Sequence, residues 1–556
     1  MTLIKIKNFV CLASIFIVGF KSNAQVSDSL IKDNQVDVIK NFKPTLSEAI
    51  KIPVNPNPEK PTYEKQEFKY SIPPHAYTVK PNIYTIKPLS VGTMLLPKLK
   101  GNYVKLGFGN YFTPLAEVYL NTVRNKEYQA GIFFKHLSAN GDQNYNDFGQ
   151  STLLGYGKKF IEKGIIGSEF YYHRNRVNLY GFPNNEFKLP EDPTLVYNLF
   201  DGKVNFQNYA KDSVDLTYKV DFNFYHFNNK DLFHENDGQV KAYILQKASS
   251  IPFELHTGLR LNNNKINQQD TGKLNYQRIY FDLNPQIFLT GEDHYLQGGF
   301  NSTISSDSAG AKFHFYPKAE GGYTLIPKKL SVYAGLTGQL KPNTYRSINT
   351  ENPFATNIIL RNTNNKIEVY GGFKGELGNK TSFMVSSSSS RIENLVTYTV
   401  DSSKANQILT YDSGNSKITT LNVEINYQLN DKFRVGLLNK INSYKMDKLA
   451  NAYSLPQFES KLNLTYNIGD KFLVKLDLFY WGERTGRIDA KGLLNSNYYE
   501  VKMDPFVDLN FGVDYRYSKN LSAFIQFNNM ANNKYNRFVN YPVYGINILG
   551  GFAFTF

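Results

Sequence analysis

Long stretches of this chain alternate strictly between apolar and polar residues. The alternation is clearest in VDLTYKVDFNFYH (214–226), LNVEINYQL (421–429) and KLNLTYNI (461–468). A period of two predicts β-strands with one apolar face and one charged or amide-rich face. In a β-sandwich the apolar faces pack together as a core, whereas in a membrane barrel they face lipid and the polar faces line the lumen.

The spacing of these stretches favours the barrel. Strands are predicted to start near 101, 115, 127, 150, 164, 196, 214, 238, 251, 277, 294, 313, 330, 365, 380, 417, 432, 456, 472, 501, 521 and 543. Connections after even-numbered strands are tight, such as GNK at 378 and GDK at 469, whereas GDQNYNDFGQ and other connections after odd-numbered strands are long. This asymmetry predicts an all-β fold, a transmembrane antiparallel up-and-down β-barrel of about 22 strands over residues 101–556.

The polar faces of the predicted strands give the candidate functional residues. Asp215, Lys219, Asp221, Asn422 and Glu424 are expected to face the lumen and to contact solute or a plugging element.

The N-terminus predicts export from the cytoplasm. Lys5 and Lys7 precede an apolar run that ends before Ser22 and Ala24, so residues 1–24 are predicted to be a cleaved signal peptide. Cys11, the single cysteine, is expected to leave with it, which excludes disulfides from the mature chain. Because no later apolar run is long enough for a membrane-spanning helix, the protein is predicted to be either soluble outside the cytoplasm or an outer-membrane barrel.

Residues 25–100 differ from the rest of the chain. Ten of the 23 prolines lie there, which predicts an extended periplasmic arm with at most short local structure. A plain linker and a partner-binding arm are both compatible with this composition.

The C-terminal stretch FNNMANNKYNRFVNYPVYGINILGGFAFTF resembles the end of TonB-dependent outer-membrane receptors. The matching positions are Asn528, Asn529, Asn532, Tyr535, Tyr541, Pro542, Gly545 and Phe556. The resemblance implies an outer-membrane transport or receptor barrel and a C-terminal signal for the barrel assembly machinery, here Phe552, Phe554 and Phe556. It covers the barrel alone, because residues 25–100 are too short and too proline-rich for the plug of that family, as in plugless relatives from Bacteroidota.

No catalytic or cofactor signature accompanies this pattern. The eight histidines show no metal-binding spacing, and the protein is expected not to be an enzyme and to hold no cofactor. GDQNYND offers calcium-type oxygen ligands but is interpreted as a solvated loop, and the serine run 386–390 as a weakly patterned rim segment. The formal net charge is +15, but the basic residues form no stripe along the sequence. Charges in the lumen and contacts to lipopolysaccharide therefore explain the positive charge better than nucleic-acid binding does.

Three functions remain open from the sequence. The first is transport or uptake across the outer membrane. The second is a non-transporting scaffold that docks a periplasmic or lipoprotein partner through residues 25–100, and the third is a hydrolase at the barrel rim. A barrel this wide must be filled by the arm, by inward-folded loops or by another protein.

Overall fold

The computed structural model describes most of the chain beyond residue 100. The described ranges are 101–122, 125–143, 145–181, 193–209, 216–247, 251–268, 272–307, 310–401, 407–489 and 498–556. The predicted signal peptide, the predicted arm and Asp215 lie outside these ranges.

Within the described ranges, 22 strands form the wall of one barrel. They are β1 (Tyr103–Gly109), β2 (Thr113–Asn121), β3 (Tyr128–Ala139), β4 (Phe148–Ile161), β5 (Gly164–Asn178), β6 (Thr194–Asn208), β7 (Thr217–Asn229), β8 (Phe233–Gln246), β9 (Phe253–Gln268), β10 (Gly272–Thr290), β11 (His294–Asp307), β12 (Gly310–Ile326), β13 (Leu330–Lys341), β15 (Thr363–Leu377), β16 (Thr381–Asp401), β17 (Gln407–Asn430), β18 (Phe433–Lys445), β19 (Phe458–Ile468), β20 (Phe472–Trp481), β23 (Phe506–Arg516), β24 (Leu521–Asn528) and β27 (Asn547–Thr555). The connections add α1 (Tyr345–Glu351), β14 (Ala355–Asn357), β21 (Arg484–Asp489), β22 (Tyr498–Met503), β25 (Asn536–Phe538) and β26 (Tyr541–Pro542).

The barrel closes through its first and last strands. Each wall strand pairs antiparallel with its neighbours in the chain, and β1 also pairs with β27, from Tyr103 opposite Thr555 to Gly109 opposite Leu549. This closure leaves no free sheet edge in the wall. The predicted antiparallel barrel of 22 strands is therefore confirmed.

The two ends of the barrel differ as the connector lengths predict. Short turns, such as those at Gly378 and Gly469 with positive φ, lie at the end where β1 begins and β27 finishes. We call this end the turn side. The opposite end, the loop side, carries α1 and all five short strands outside the wall.

Strand alternation places apolar side chains on the outside of the wall. In β7, Phe222 and Phe224 are 52% and 57% exposed, whereas Asp221 and Asn223 on the other face line an interior cavity. Phe552, Phe554 and Phe556 at the end of the chain also lie on the exposed apolar face. An outer surface of this kind fits a lipid environment.

The main buried apolar cluster lies inside the barrel mouth on the loop side. It joins wall residues such as Tyr197 and Phe227 to Tyr345, Phe538 and Tyr541 from two long loops. Within the described residues, no helix is both long and apolar enough to cross a membrane.

Candidate lumen site and its closure

A cavity of about 1490 Å³ lies inside the barrel against β5–β9. The strand residues that line the cavity are polar at mid-height, halfway between the two ends of the barrel. Those with a formal charge are Glu169, Asp201, Lys203, Asp221, Lys241 and Arg260. Nearer the loop side the lining becomes aromatic, with Tyr197, Tyr225 and Phe227.

Opposite charges face each other across neighbouring strands of this wall. Glu169 on β5 is the register partner of Lys203 on β6, and Asp221 on β7 is the partner of Lys241 on β8. Lys219 also lies 3.1 Å from the Asp221 carboxylate along the same strand. The cavity therefore presents a surface of mixed sign with little net charge.

The loop between β13 and β15 folds into the barrel mouth and covers the loop side of the cavity. Its helix α1 begins with a capping box, in which Thr344 and Ser347 each accept a backbone N–H of the other. The ring of Tyr345 stacks on Phe233 with centroids 4.3 Å apart, and Ile348 is also buried. We call residues 342–362 the lid.

Two carboxylates of the wall hold the lid. Glu235 on β8 is fully buried and accepts hydrogen bonds from the Tyr345 backbone N–H at 2.6 Å and the Tyr225 hydroxyl at 2.5 Å. Asp201 on β6 accepts a hydrogen bond from Arg346 Nη1 at 2.6 Å. Charge-assisted hydrogen bonds of this length are the strong ones in proteins, so these two contacts tie α1 to the wall.

A second loop, between β24 and β27, packs against the lid. The ring of Tyr541 stacks on Phe354 at 4.0 Å, and the Tyr180 hydroxyl donates to the Pro542 carbonyl at 3.0 Å. Arg484 reaches this loop from β21 and donates to the carbonyls of residues 536 and 537 at 2.5 and 2.7 Å. Burial lowers the pKa of the Arg484 guanidinium to about 10.

The predicted lumen residues occupy different places around the barrel. Asp221 lines the cavity, and Lys219 is its ion-pair partner. Asn422 and Glu424 share one face of β17, where Glu424 accepts a hydrogen bond from Asn426 at 2.8 Å, and neither lines this cavity. Their contact with solute stays a prediction.

The residues that hold the lid could not be identified from the sequence. Glu235, Asp201 and Arg346 carry no motif, and Glu235 meets Tyr345 across a separation of 110 residues. A weak signal was available in the loop itself, because Thr344 followed by Ser347 is a helix-capping pattern.

The other candidate residues from the sequence contact protein groups where the structure describes them. Asp142 pairs with Lys534, and Asp147 pairs with Arg176 at 2.7 Å, so these two carboxylates of the GDQNYND loop bind protein groups. The serine run lies within β16 and pairs with β15 and β17. Among the described residues, no three His, Cys, Asp or Glu side chains form a metal-binding group.

Solved structures with a similar fold are outer-membrane receptors and transporters. The pyoverdine outer membrane receptor FpvA from Pseudomonas aeruginosa PAO1 has a TM-score of 0.62 and 13% identity, covering 83% of this chain and 79% of that one. The ferric-catecholate import receptor Fiu from E. coli K12 has a TM-score of 0.62 and 10% identity, with coverage of 83% and 82%. The FrpB iron transporter from Neisseria meningitidis (F5-1 variant) has a TM-score of 0.64 and 10% identity, with coverage of 83% and 83%.

This likeness is one of fold. No family model and no curated protein sequence matches the chain. The compared structures are described as receptors and transporters, and their fold agrees with the barrel type expected from the C-terminal residues.

Proposed function

We propose that the protein is a gated transport barrel of the outer membrane, with the loop side outside the cell. The observation that carries the proposal is the polar cavity inside a closed barrel, covered on the loop side by a lid held through hydrogen bonds. A channel of this width leaks unless it is closed, and hydrogen bonds allow a closure that can be reversed. The fold shared with iron-uptake receptors supports this assignment.

The cavity lining indicates the chemical class of the solute. The opposed charges Glu169 with Lys203 and Asp221 with Lys241 favour a polar solute with groups of both signs over a simple anion or cation. Ferric complexes are the first solutes to test, because the similar structures include iron receptors.

The protein environment is proposed from the same fold. Lipid and lipopolysaccharide would surround the wall, and Phe552, Phe554 and Phe556 would be read by the barrel assembly machinery.

A periplasmic or lipoprotein partner on residues 25–100 is tested by isolating the tagged protein from native membranes, with and without residues 28–97. A stoichiometric partner that is lost with this segment supports the docking role, and isolation of the barrel alone in both cases excludes it.

Ion conductance of the full chain in planar bilayers tests the transport proposal. Lys341 and Thr363 are register partners, so a tight turn can replace the whole of residues 342–362 without moving the strands. We expect the natural chain to be mostly closed and the shortened chain to conduct continuously. The shortened chain should also let polar solutes enter liposomes.

The folded fraction must be equal in both chains for this comparison. A heat-dependent shift in gel mobility measures it, since a folded barrel migrates differently from an unfolded chain. If the shortened chain is folded and neither conducts nor admits solutes, the transport proposal is wrong.

A further inference from the structure

A second cavity lies on the inner face of the wall, where β1–β3 meet β23, β24 and β27. Its volume is about 390 Å³, which falls within the range of small-molecule pockets, about 300–1,000 Å³. Phe148, Val543 and Tyr544 line both this cavity and the larger one, so the two compartments share a boundary. We call it the seam cavity, because the barrel closes here through the pairing of β1 with β27.

The wall of the seam cavity is apolar between its two ends. Leu115 on β2 and Leu549 on β27 are each 5% exposed, and they belong to one buried cluster with Phe524 and Leu137. A polar group placed against these side chains loses its hydrogen bonds to water and gains none in return. A ligand of this cavity must therefore have an apolar body.

The turn-side end of the seam cavity carries one unbalanced positive charge. Lys105 on β1 lines the cavity here, and its register partner Glu117 is already paired with Lys135 at 3.0 Å. The other carboxylate that acts on Lys105 is Asp514 on β23, and it is paired with Lys475 at 3.4 Å. Among the described residues, no carboxylate forms an ion pair with Lys105 itself. Three lysines thus share two carboxylates.

The surroundings of the Lys105 ammonium leave room for an anion. Its Nζ lies 3.9 Å from the centroid of the Phe524 ring, a cation–π contact that supplies no counter-charge. The loop-side end of the cavity has the opposite sign, because Asp508 lines it and accepts a hydrogen bond from the Tyr535 hydroxyl at 2.8 Å. An anionic group is therefore attracted to the turn-side end and repelled from the loop-side end.

We propose that the seam cavity binds a small organic monoanion, in which a carboxylate is attached to an apolar body. The Lys105 ammonium donates charge-assisted hydrogen bonds to the carboxylate, and Leu115 and Leu549 contact the body. The charge of Asp508 fixes the orientation, with the carboxylate toward the turn side.

This inference does not depend on transport or on the larger cavity. A barrel that binds the monoanion and does not conduct would refute the transport proposal alone. A barrel that conducts and does not bind the monoanion would refute the seam site alone.

Calorimetric titration of the full chain in phosphatidylcholine nanodiscs tests the proposal. Three probes share one cyclohexyl body and differ in charge: cyclohexanecarboxylate, cyclohexanecarboxamide and cyclohexylmethylammonium. We expect the carboxylate to bind at one site per barrel. The amide and the ammonium should bind at least about ten-fold more weakly, because neither completes a charge pair with Lys105. Empty nanodiscs measure binding to the lipid.

Two matched lysine variants locate the site. Lys105→Met removes the charge and keeps the length of the side chain, so the Kd of the carboxylate should rise about ten-fold or more while that of the amide stays unchanged. Lys105→Arg should keep part of the affinity, since it keeps the charge. Lys461→Met is the control, because Lys461 also faces an aromatic ring, Phe479 at 5.8 Å, but lines neither cavity.

The control variant should bind the carboxylate like the natural chain, and gel mobility verifies that each variant is folded. The proposal is overturned if the natural chain fails to bind the carboxylate or binds the amide equally well. It is also overturned if folded Lys105→Met and Lys461→Met have the same affinity. The comparison of the three probes on the natural chain decides the question without any variant.

Discussion

Replacement of Glu235 by glutamine should loosen the lid. Glu235 is fully buried and accepts two hydrogen bonds, one of them from the first residue of α1. Glutamine keeps the shape and one acceptor oxygen, but its neutral amide makes hydrogen bonds about half as strong as those of a carboxylate. The lid should therefore open more often without any loss of packing.

The magnitude follows from the one hydrogen bond that opening breaks. Tyr225 belongs to β7 and keeps its contact with Glu235 when the lid is open, so only the contact from Tyr345 counts. A hydrogen bond to a charged group contributes about 1.5–3 kcal/mol, so halving it removes about 0.75–1.5 kcal/mol from the closed state. A change of about 1.4 kcal/mol is ten-fold in an equilibrium constant, so the open fraction should rise by roughly three- to ten-fold.

Labelling of a cysteine below the lid measures this change. Lys241 lines the cavity, and no other cysteine is expected in the mature chain, so Lys241→Cys reports on access from the loop side. A maleimide too large for general porins is added to intact cells that carry this substitution. The labelling rate should be slow in the natural background and roughly three- to ten-fold faster with Glu235→Gln.

Two further variants control for general effects. Glu169→Gln also neutralises a glutamate that lines the cavity, and its register partner is Lys203 of the wall, so its labelling rate should not change. Gln143→Cys in an exposed loop should label at full speed in every background. Fast labelling of Lys241→Cys in the natural background, or an equal rate with and without Glu235→Gln, would refute the role given to the lid.

Three other substitutions test separate parts of the structure. In Gly181→Ala the new Cβ lies 2.4 Å from the ring of Tyr541, which is buried, so cysteine labelling below the lid should rise by about ten-fold. The hydrogen bond from Lys534 lowers the pKa of Asp142, so their contact should persist at neutral pH and be lost as the pH falls through that lowered value. Hydrogen exchange of residues 529–546 should show this loss, and Asp142→Asn should abolish the pH dependence. Phe552→Ala, at a side chain 65% exposed on the outer face, should lower the folded fraction in gel-mobility assays of cell membranes.

The wall of the barrel could be predicted closely because each strand carries its own signal. Predicted starts at 164, 294, 330, 472 and 521 coincide with the observed ones. The largest error is at β17, predicted from 417 and observed from Gln407. Residues 407–410 are all buried, so the alternation of apolar and polar residues that marks a half-buried strand is absent there.

The lid could not be predicted for a different reason. Its contacts join residues that are far apart in the chain, as in the stacking of Tyr345 on Phe233 and of Phe354 on Tyr541. The loop sequence is polar and short of apolar periodicity, so nothing local distinguishes a lid from a solvated loop. Among the described residues, inward-folded loops pack in the barrel mouth.

Opening of the lid and entry of water must occur as one event. Moving Tyr345 away takes a hydrogen-bond donor from Glu235, which is fully buried beside the equally buried Asp237. Arg260 is already committed to Asp237 at 2.7 Å, and the Arg278 guanidinium donates to Asn262 Oδ1 at 2.7 Å, so we expect water to replace the lost donor. A partly lifted lid without water leaves a buried carboxylate short of partners, at a cost of about 1–3 kcal/mol or more. The intermediate is therefore sparsely populated, and single-channel records of the full chain should show discrete steps between closed and open levels. A continuum of conductance levels would contradict this coupling.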